Sequence, residues 1–167
     1  MDLLEGIATR RSIRNYTTEP VTREQLLEIV KAGMWAPSGM NNQPWRFVTI
    51  QDKQILRRLA SFTRYSHIIE KAPAAIAVFI DKLAIYHETK DHQSMGACLQ
   101  NMLLASHGMG LGAVWLGEIL KSAEAVRELV AVPKNMELMA VVIVGHPAGK
   151  GGTSSRKPVE EVLLKEL

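Results

Sequence analysis

Three arginines and a serine occur together near the start of the chain, in the segment RRSIR at residues 10–14. Arg10, Arg11 and Arg14 each carry a permanent charge and a planar set of N–H donors, which suits the binding of a phosphate or a carboxylate. The hydroxyl of Ser12 can donate a further hydrogen bond to the same anion. A solvated basic face would have the same composition, so RRSIR alone does not establish an anion site.

A second polar segment, APSGMNNQPW at residues 36–45, is rich in small, amide-bearing and rigid residues. Its proline, serine and glycine allow the backbone to approach a ligand closely, and Asn41, Asn42 and Gln43 can each donate and accept hydrogen bonds. These properties favour the binding of a planar heterocycle that has both donor and acceptor edges. An ordinary turn between a helix and a strand would also fit, and that interpretation stays open.

Two shorter segments could also contact a ligand. In WLGE, residues 115–118, Gly117 follows a predicted strand and would expose backbone N–H groups. In GGTSSRKP, residues 151–158, Arg156 stands in a stretch that predicts a flexible tail. Each of these residues could equally have no role beyond a turn or a surface charge.

The common motifs of nucleotide, metal and acyl-transfer chemistry are not found in the sequence. GMGLG at residues 108–112 closes a predicted helix and opens a strand, which is the reverse of the order in a dinucleotide-binding loop. No P-loop, H-E-x-x-H pair or G-x-S-x-G elbow is present. His87 and His92 are five positions apart and fall on different helix faces, so we expect no metal site.

Composition predicts one domain spanning residues 1–167, with 47% apolar residues. Twenty lysines and arginines against 17 acidic residues give a net charge of +3, too small to indicate nucleic-acid binding. Cys98 is the only cysteine and lies in an apolar run, so it predicts a buried thiol. Because the chain opens with acidic residues and has no long apolar run, we expect no secretion signal, no membrane span and a cytoplasmic location.

Periodicity places these segments between helices and strands. The predicted helices cover residues 2–10, 23–35, 91–108 and 123–129, with a polar helix from about Lys53. The predicted strands cover residues 46–50, 74–80, 113–116 and 138–145. Thr22 and Gln25 have the spacing of a capping box at the start of the second helix. Alternating helices and strands after residue 45 allow an α/β or an α+β sheet.

In their combination and order, these segments resemble the nitroreductase family of flavin enzymes. RRSIR matches the family's N-terminal basic pattern, and residues 37–45 match its PS-x-x-N-x-QPW motif. GLG followed by VWLGE, and VGHPAGK followed by RKP, match its later motifs. The resemblance implies an α+β nitroreductase-like fold with a mixed central sheet flanked by helices. It also implies an intertwined homodimer in which the tail from about residue 147 wraps the partner subunit.

The resemblance further implies an FMN site shared between two subunits. Arg10, Ser12 and Arg156 would hold the phosphate, and Arg14 would lie toward the pyrimidine end of the flavin ring. The partner subunit would contribute residues of the PS-x-x-N motif, and the backbone after the third strand would face the redox edge of the ring. The expected flavin-binding residues are Arg10, Arg11, Ser12, Arg14, Pro37, Ser38, Gly39, Asn41, Gln43, Leu116, Gly117, Glu118 and Arg156.

For a member of this family, no catalytic side chain is expected, because the flavin carries the chemistry. NADH or NADPH would deliver hydride to FMN, and a nitroaromatic or quinone acceptor would then replace the donor in a ping-pong sequence. A flavin-binding or redox-sensing module without turnover remains an alternative, as does a specialised branch such as a reductive dehalogenase. The chain departs from the family pattern at Ser154, where many members carry lysine, and at Ser94, where many carry aspartate.

Overall fold

The computed structural model describes residues 2–167, which form seven helices and four strands. The helices are α1 (Leu3–Thr9), α2 (Arg23–Met34), α3 (Lys53–Ala60), α4 (Ser66–Glu70), α5 (Glu88–Gly108), α6 (Ala123–Leu129) and α7 (Val159–Val162). The strands are β1 (Trp45–Ile50), β2 (Ala74–Asp81), β3 (Gly112–Leu116) and β4 (Met136–Gly145). Short 3₁₀ turns occupy Gly39–Asn41 and Glu118–Ser122. The α+β class predicted from the sequence is confirmed.

The four strands form one sheet in the order β1-β2-β4-β3, and every pairing between them is antiparallel. The expected mixed sheet is therefore corrected in one respect. Within residues 2–167 the parallel contribution is a single bridge between Ser12 and Ala113, at the outer edge of β3. This bridge attaches the RRSIR segment to the sheet, so the segment's backbone position is set by β3.

Helices cover both faces of the sheet, which explains the continuous apolar sequences of its central strands. On one face, alternate residues of β2 and β4 pack against α2 and α5. On the other face, the intervening residues pack against α3, α4 and α6. Every residue of β2 up to Ile80 is buried, so the sequence AAIAVFI has no solvent-facing positions. The prediction of a buried strand over residues 74–80 is confirmed.

A local sequence signal accounts for where α2 begins. At α2, the hydroxyl of Thr22 accepts from the Gln25 N–H at 3.1 Å, and the Gln25 side chain accepts from the Thr22 N–H at 2.8 Å. This reciprocal pair is the predicted capping box. The structure starts α5 at Glu88, three residues before the prediction, and it contains α4, which the sequence analysis did not predict.

Two individual residues are also buried in the core, and at Cys98 this confirms the prediction. Trp45, the first residue of β1, is 4% exposed and belongs to the core beside α2 and α5. Cys98 is buried in the same core, and this burial raises the pKa of its thiol to about 12. Within residues 2–167 no helix combines the length and the apolar character that a bilayer crossing requires.

Candidate functional site

The arginine cluster (Arg10, Arg11 and Arg14) lies where α5 ends and β3 begins. Thr9, at the end of α1, places its hydroxyl 3.0 Å from Nε2 of His107 in the last turn of α5. Next along the chain, the Ile13 N–H donates to the Ala113 carbonyl of β3 at 3.0 Å. These contacts hold the cluster at one end of the central helix and at one edge of the sheet.

Arg10 has the features of a cation that lacks its anion. Within residues 2–167 its Nε is buried and has no hydrogen-bond acceptor. Burial, followed by the nearby charges of Arg11 and Arg156, lowers the pKa of Arg10. Among the residues described, neither Arg156 nor any arginine of the cluster pairs with a carboxylate. The charge of Arg156, in the distant tail, thus acts on Arg10, and the two residues stay candidates for one anion site.

A cleft of about 250 Å³ is lined by Ser12, Arg14 and the loop at residues 148–152. Lys150 in this loop also lines the cleft, and the sequence analysis did not identify it. The only sequence signal for Lys150 is its position between glycines. Gly151 packs against the side chain of Arg11 so closely that a Cβ at this position would overlap it. The cleft thus combines cationic, hydroxyl and backbone groups, which are suited to a phosphate.

Arg11 differs from Arg10 because its guanidinium already donates hydrogen bonds. Its Nη1 donates to the Ala8 carbonyl at 2.7 Å and to the Arg10 carbonyl at 2.9 Å. These acceptors lie at the C-terminal end of α1, where a cation also interacts favourably with the helix dipole. Arg11 therefore stabilises the end of α1, and its expected contact with flavin stays a prediction.

The backbone of Leu116, Gly117 and Glu118 begins at the last residue of β3 and lies farther along the same edge as Ser12. Leu116 is about 10 Å along the strand from Ala113, the bridge partner of Ser12. This segment and the arginine cluster can therefore face one elongated ligand.

The side chain of Glu118 has a structural role that the sequence analysis did not predict. Its carboxylate accepts from the Thr63 hydroxyl at 2.6 Å and from the Arg64 N–H at 3.2 Å, and it pairs with Lys121 at 2.5 Å. The hydrogen bonds from Lys121 and then from Thr63 lower the pKa of Glu118 to about 2. The carboxylate thus ties the turn after β3 to residues 63–64.

The polar loop (residues 37–43) has an unusual backbone. Met40, Asn41 and Gln43 have φ values of 53°, 56° and 47°, in the left-handed region that non-glycine residues rarely occupy. The Ser38 hydroxyl accepts from the Gln43 N–H at 3.1 Å, which closes the loop on itself. Such strain concentrates at functional sites, where the surrounding structure must hold it in place.

The polar loop is attached to the first turn of α5, at the opposite end from the arginine cluster. Asn42 Nδ2 donates to the carboxylate of the buried Asp91 at 2.7 Å. Asp91 and His107 are separated by about 24 Å along the helix axis, at about 1.5 Å per residue. The loop also precedes β1, whereas the arginine cluster flanks β3, at the other edge of the sheet. One chain therefore does not bring the two expected halves of the site together.

The sequence analysis did not identify Asp91, although it is the buried acidic residue that holds the polar loop. The sequence feature that could have identified Asp91 was its position in the first turn of the predicted central helix. Nothing in the sequence pointed to Asn42 as its partner. Over residues 2–167 there is no group of three or more histidine, cysteine, aspartate and glutamate side chains able to hold a metal ion.

The chain is similar to known proteins in sequence and in fold. The sequence model of the Nitroreductase family matches residues 7–64 and 60–146. A relative from Archaeoglobus fulgidus, named as an NADH dehydrogenase/NAD(P)H nitroreductase, is 37% identical over 149 residues, which cover 87% of this chain and 86% of that protein.

Two solved structures are similar over nearly the whole chain. A Desulfovibrio desulfuricans protein, named as a nitroreductase and solved in complex with FMN, superposes with a TM-score of 0.94 at 48% identity, covering 100% of this chain and 98% of that one. The NADPH:FMN oxidoreductase of Vibrio harveyi, solved in complex with NAD⁺, has a TM-score of 0.86 at 29% identity, covering 98% of this chain and 76% of that one. With a family match from residue 7 to residue 146 and a fold shared at this level, the chain belongs to the nitroreductase family.

Proposed function

We propose that the protein is an FMN-dependent NAD(P)H oxidoreductase that works as a homodimer. The observation that carries this proposal is the position of the two half-sites at opposite ends of α5. The arginine cluster and Arg156 form the phosphate half at one end, and the polar loop forms the other half at the far end. A second copy that placed its polar loop over the first copy's cleft would complete the site, and the symmetric contact would complete a second site.

The residues of the arginine half fit the phosphate of FMN. The buried Nε of Arg10 needs an acceptor, the charge of Arg156 acts on Arg10, and Lys150 adds a positive charge to the cleft that Ser12 lines. A phosphate dianion would supply acceptors and reduce the repulsion among these cations. Ser12 can add a hydroxyl donor from the wall of the cleft. Lys150 thus offers a cation in place of the lysine that many family members carry at the position of Ser154.

The remaining residues would orient the ring. Arg14 lines the cleft beyond Ser12, and a positive charge near the ring favours its reduced, negatively charged form. The backbone after β3, at Gly117, would face the redox edge. When bound, FMN would accept hydride from NADH or NADPH and pass electrons to a nitroaromatic or quinone acceptor in a ping-pong sequence.

The C-terminal tail supports the dimer. Val159, Val162 and Leu163 are 60%, 60% and 47% exposed, although they form the apolar side of α7 and the residue after it. A single chain gives them no core to join, so burial against a second copy would remove this apolar surface from water. We therefore propose that the tail packs on the partner subunit. We also propose that the dimer acts in the cytoplasm.

Spectroscopy of the purified protein tests the proposal. The preparation should be yellow, should lose its visible flavin absorbance when NADH or NADPH is added without oxygen, and should regain it when a quinone or a nitroaromatic is added. Bleaching without recovery by any acceptor would indicate a redox-sensing module. Failure to bind FMN would refute the proposed function.

A further inference from the structure

The carboxylate of Asp91 is the point where the polar loop, the end of the β2–α5 connection and helix α5 meet. Asp91 is 0% exposed. It accepts hydrogen bonds from Asn42 Nδ2 at 2.7 Å, from the His87 N–H at 2.9 Å and from the Tyr86 N–H at 3.0 Å. Burial opposes the charged form, but these three donors outweigh it and hold the pKa of Asp91 below its usual value. Asp91 is therefore a buried anion held by donors from two other segments.

The hydrogen bonds of the Asn42 side chain allow only one orientation of its amide group. Its Nδ2 donates to Asp91 and also to the Ala84 carbonyl at 2.9 Å, so both of its hydrogens are used. Its Oδ1 is buried and has no hydrogen-bond partner among residues 2–167. A flipped amide would place this oxygen against the Asp91 carboxylate and the carbonyl, which would repel it. Asn42 thus holds the loop through its two N–H donors, and its oxygen takes no part in this attachment.

This attachment acts at the centre of the strained part of the polar loop. Asn42 has right-handed backbone angles, φ −71° and ψ −19°, and it lies between the left-handed residues Asn41 and Gln43. A chain with this alternation relaxes unless contacts outside the loop oppose relaxation. The hydrogen bonds of the Asn42 side chain are such contacts, and their main acceptor carries a full charge.

The same carboxylate also fixes a second wall of the loop. The Tyr86 N–H binds Asp91, and the Tyr86 ring lies against Gly39, where a Cβ would overlap the tyrosine hydroxyl. The absence of a side chain at Gly39 therefore permits close contact with the Tyr86 ring, and Asp91 holds the Tyr86 backbone in place. The buried carboxylate of Asp91 thus positions both the polar loop and the Tyr86 ring.

Capping of α5 explains only part of this arrangement. Asp91 lies in the first turn of α5, and its bond to the His87 N–H satisfies the residue that precedes the helix. A cap needs no contact with residue 42, which comes from another part of the chain. The Asn42 contact is the shortest of the three, and it connects the helix to the loop.

We propose that Asp91 is a positioning residue for the flavin site: it holds the polar loop in the conformation that completes the site of the partner subunit. The inference rests on the proposed function. Asp91 itself would not touch the flavin, because it is fully buried behind Asn42. Its loss should weaken contacts to the ring while leaving the phosphate half intact.

The test compares Asp91→Asn with Glu88→Gln in the full-length protein. Glu88 is an exposed carboxylate in the same helical turn, so the control removes the same charge without touching the loop. Asp91→Asn should raise the Kd of FMN and of riboflavin by the same factor, at least about tenfold, and should shift the midpoint potential of the bound flavin. Backbone amides at residues 38–43 should exchange hydrogen faster in the flavin-free protein. Glu88→Gln should match the parent in all these measurements.

A lower melting temperature with unchanged flavin affinities, potential and loop exchange would overturn the proposal and leave Asp91 a purely structural residue. If Asp91→Asn does not fold, Asn42→Ala is judged by the same criteria. Where both fold, the double variant should bind flavin no more weakly than the weaker single variant, and additive losses would also overturn the proposal. If the parent protein binds no flavin, the proposed function fails, whereas the exchange measurement still tests whether Asp91 holds the loop.

Discussion

The charge of Arg156, in the exposed tail, lies close enough to Arg10 to help lower the pKa of Arg10. Two like charges in proximity, one of them with a buried and unpartnered Nε, favour a bound anion. We therefore expect Arg10→Ala and Arg156→Ala each to weaken FMN binding by about 1.5–3 kcal/mol, the range for a hydrogen bond to a charged group. Riboflavin, which has no phosphate, should bind both variants as it binds the parent, and titration of the two flavins measures the difference. Arg58→Ala, which removes an exposed arginine from α3, is the control.

Arg14 should respond differently, because it lines the cleft and is proposed to lie near the flavin ring rather than at the phosphate. Arg14→Ala should lower the reduction potential of the bound flavin more than it weakens phosphate recognition, since the lost charge favours the reduced ring. A redox titration beside the FMN and riboflavin titrations separates the two effects. If the alanine variants of Arg10, Arg14 and Arg156 all lose FMN and riboflavin equally, the assignment of phosphate and ring roles is wrong.

The protein should behave as a dimer in solution whenever flavin is bound, because each site needs the polar loop of the other copy. Val162→Asp places a charge on the exposed apolar side of α7 and should weaken both dimerisation and FMN binding. Light scattering and flavin titration measure the two effects, and Lys165→Ala in the same tail is the control. A monomer that retains flavin would contradict the shared site.

Trp45 should contribute strongly to stability, because its ring is 4% exposed and packs in the core beside α2 and α5. Trp45→Ala should lower the free energy of unfolding by about 3–5 kcal/mol. Leu83→Ala removes a large apolar side chain that is 83% exposed and should have little effect. Denaturant unfolding of both variants measures this, and equal stabilities would show that the Trp45 ring contributes nothing beyond an exposed side chain.

Glu118 should make stability depend on pH in the acid range. Its pKa is about 2 in the folded protein against an ordinary value of 4.5, so ionised Glu118 stabilises the fold fully above about pH 4.5. The contribution disappears as the pH falls from about 4.5 toward 2. Glu118→Gln should reduce the loss of stability across this window, as measured by unfolding at several pH values. Glu160→Gln, which changes an exposed residue of α7, should leave the pH dependence as it is in the parent.

Features encoded over short stretches were predictable from the sequence. The Thr22–Gln25 capping box depends on two residues three positions apart, and both of its hydrogen bonds form. Residues 74–80 are uninterrupted by charge because helices cover both faces of β2. The order of the four polar segments was sufficient to identify the family.

The sheet and the turn after β3 show where local patterns stopped being informative. Strand direction depends on how the chain returns to the sheet, and the prediction of a mixed sheet was corrected to antiparallel pairing with one parallel bridge at Ser12. The role of the Glu118 side chain depends on Thr63, which reaches it from another segment. Neither residue's neighbours in sequence indicate that contact.

The sequence by itself determined which residues of this protein can bind an anion or a planar ring, because charge, hydrogen-bonding groups and backbone freedom belong to residue types. Only the tertiary structure decided how these residues are distributed. It set the charge of Arg156 where it helps to lower the pKa of Arg10, turned Arg11 toward the end of α1, and placed the polar loop on Asp91 at the far end of α5. Such contacts join segments far apart in the chain, and their formation depends on the packing of the helices and the sheet between them.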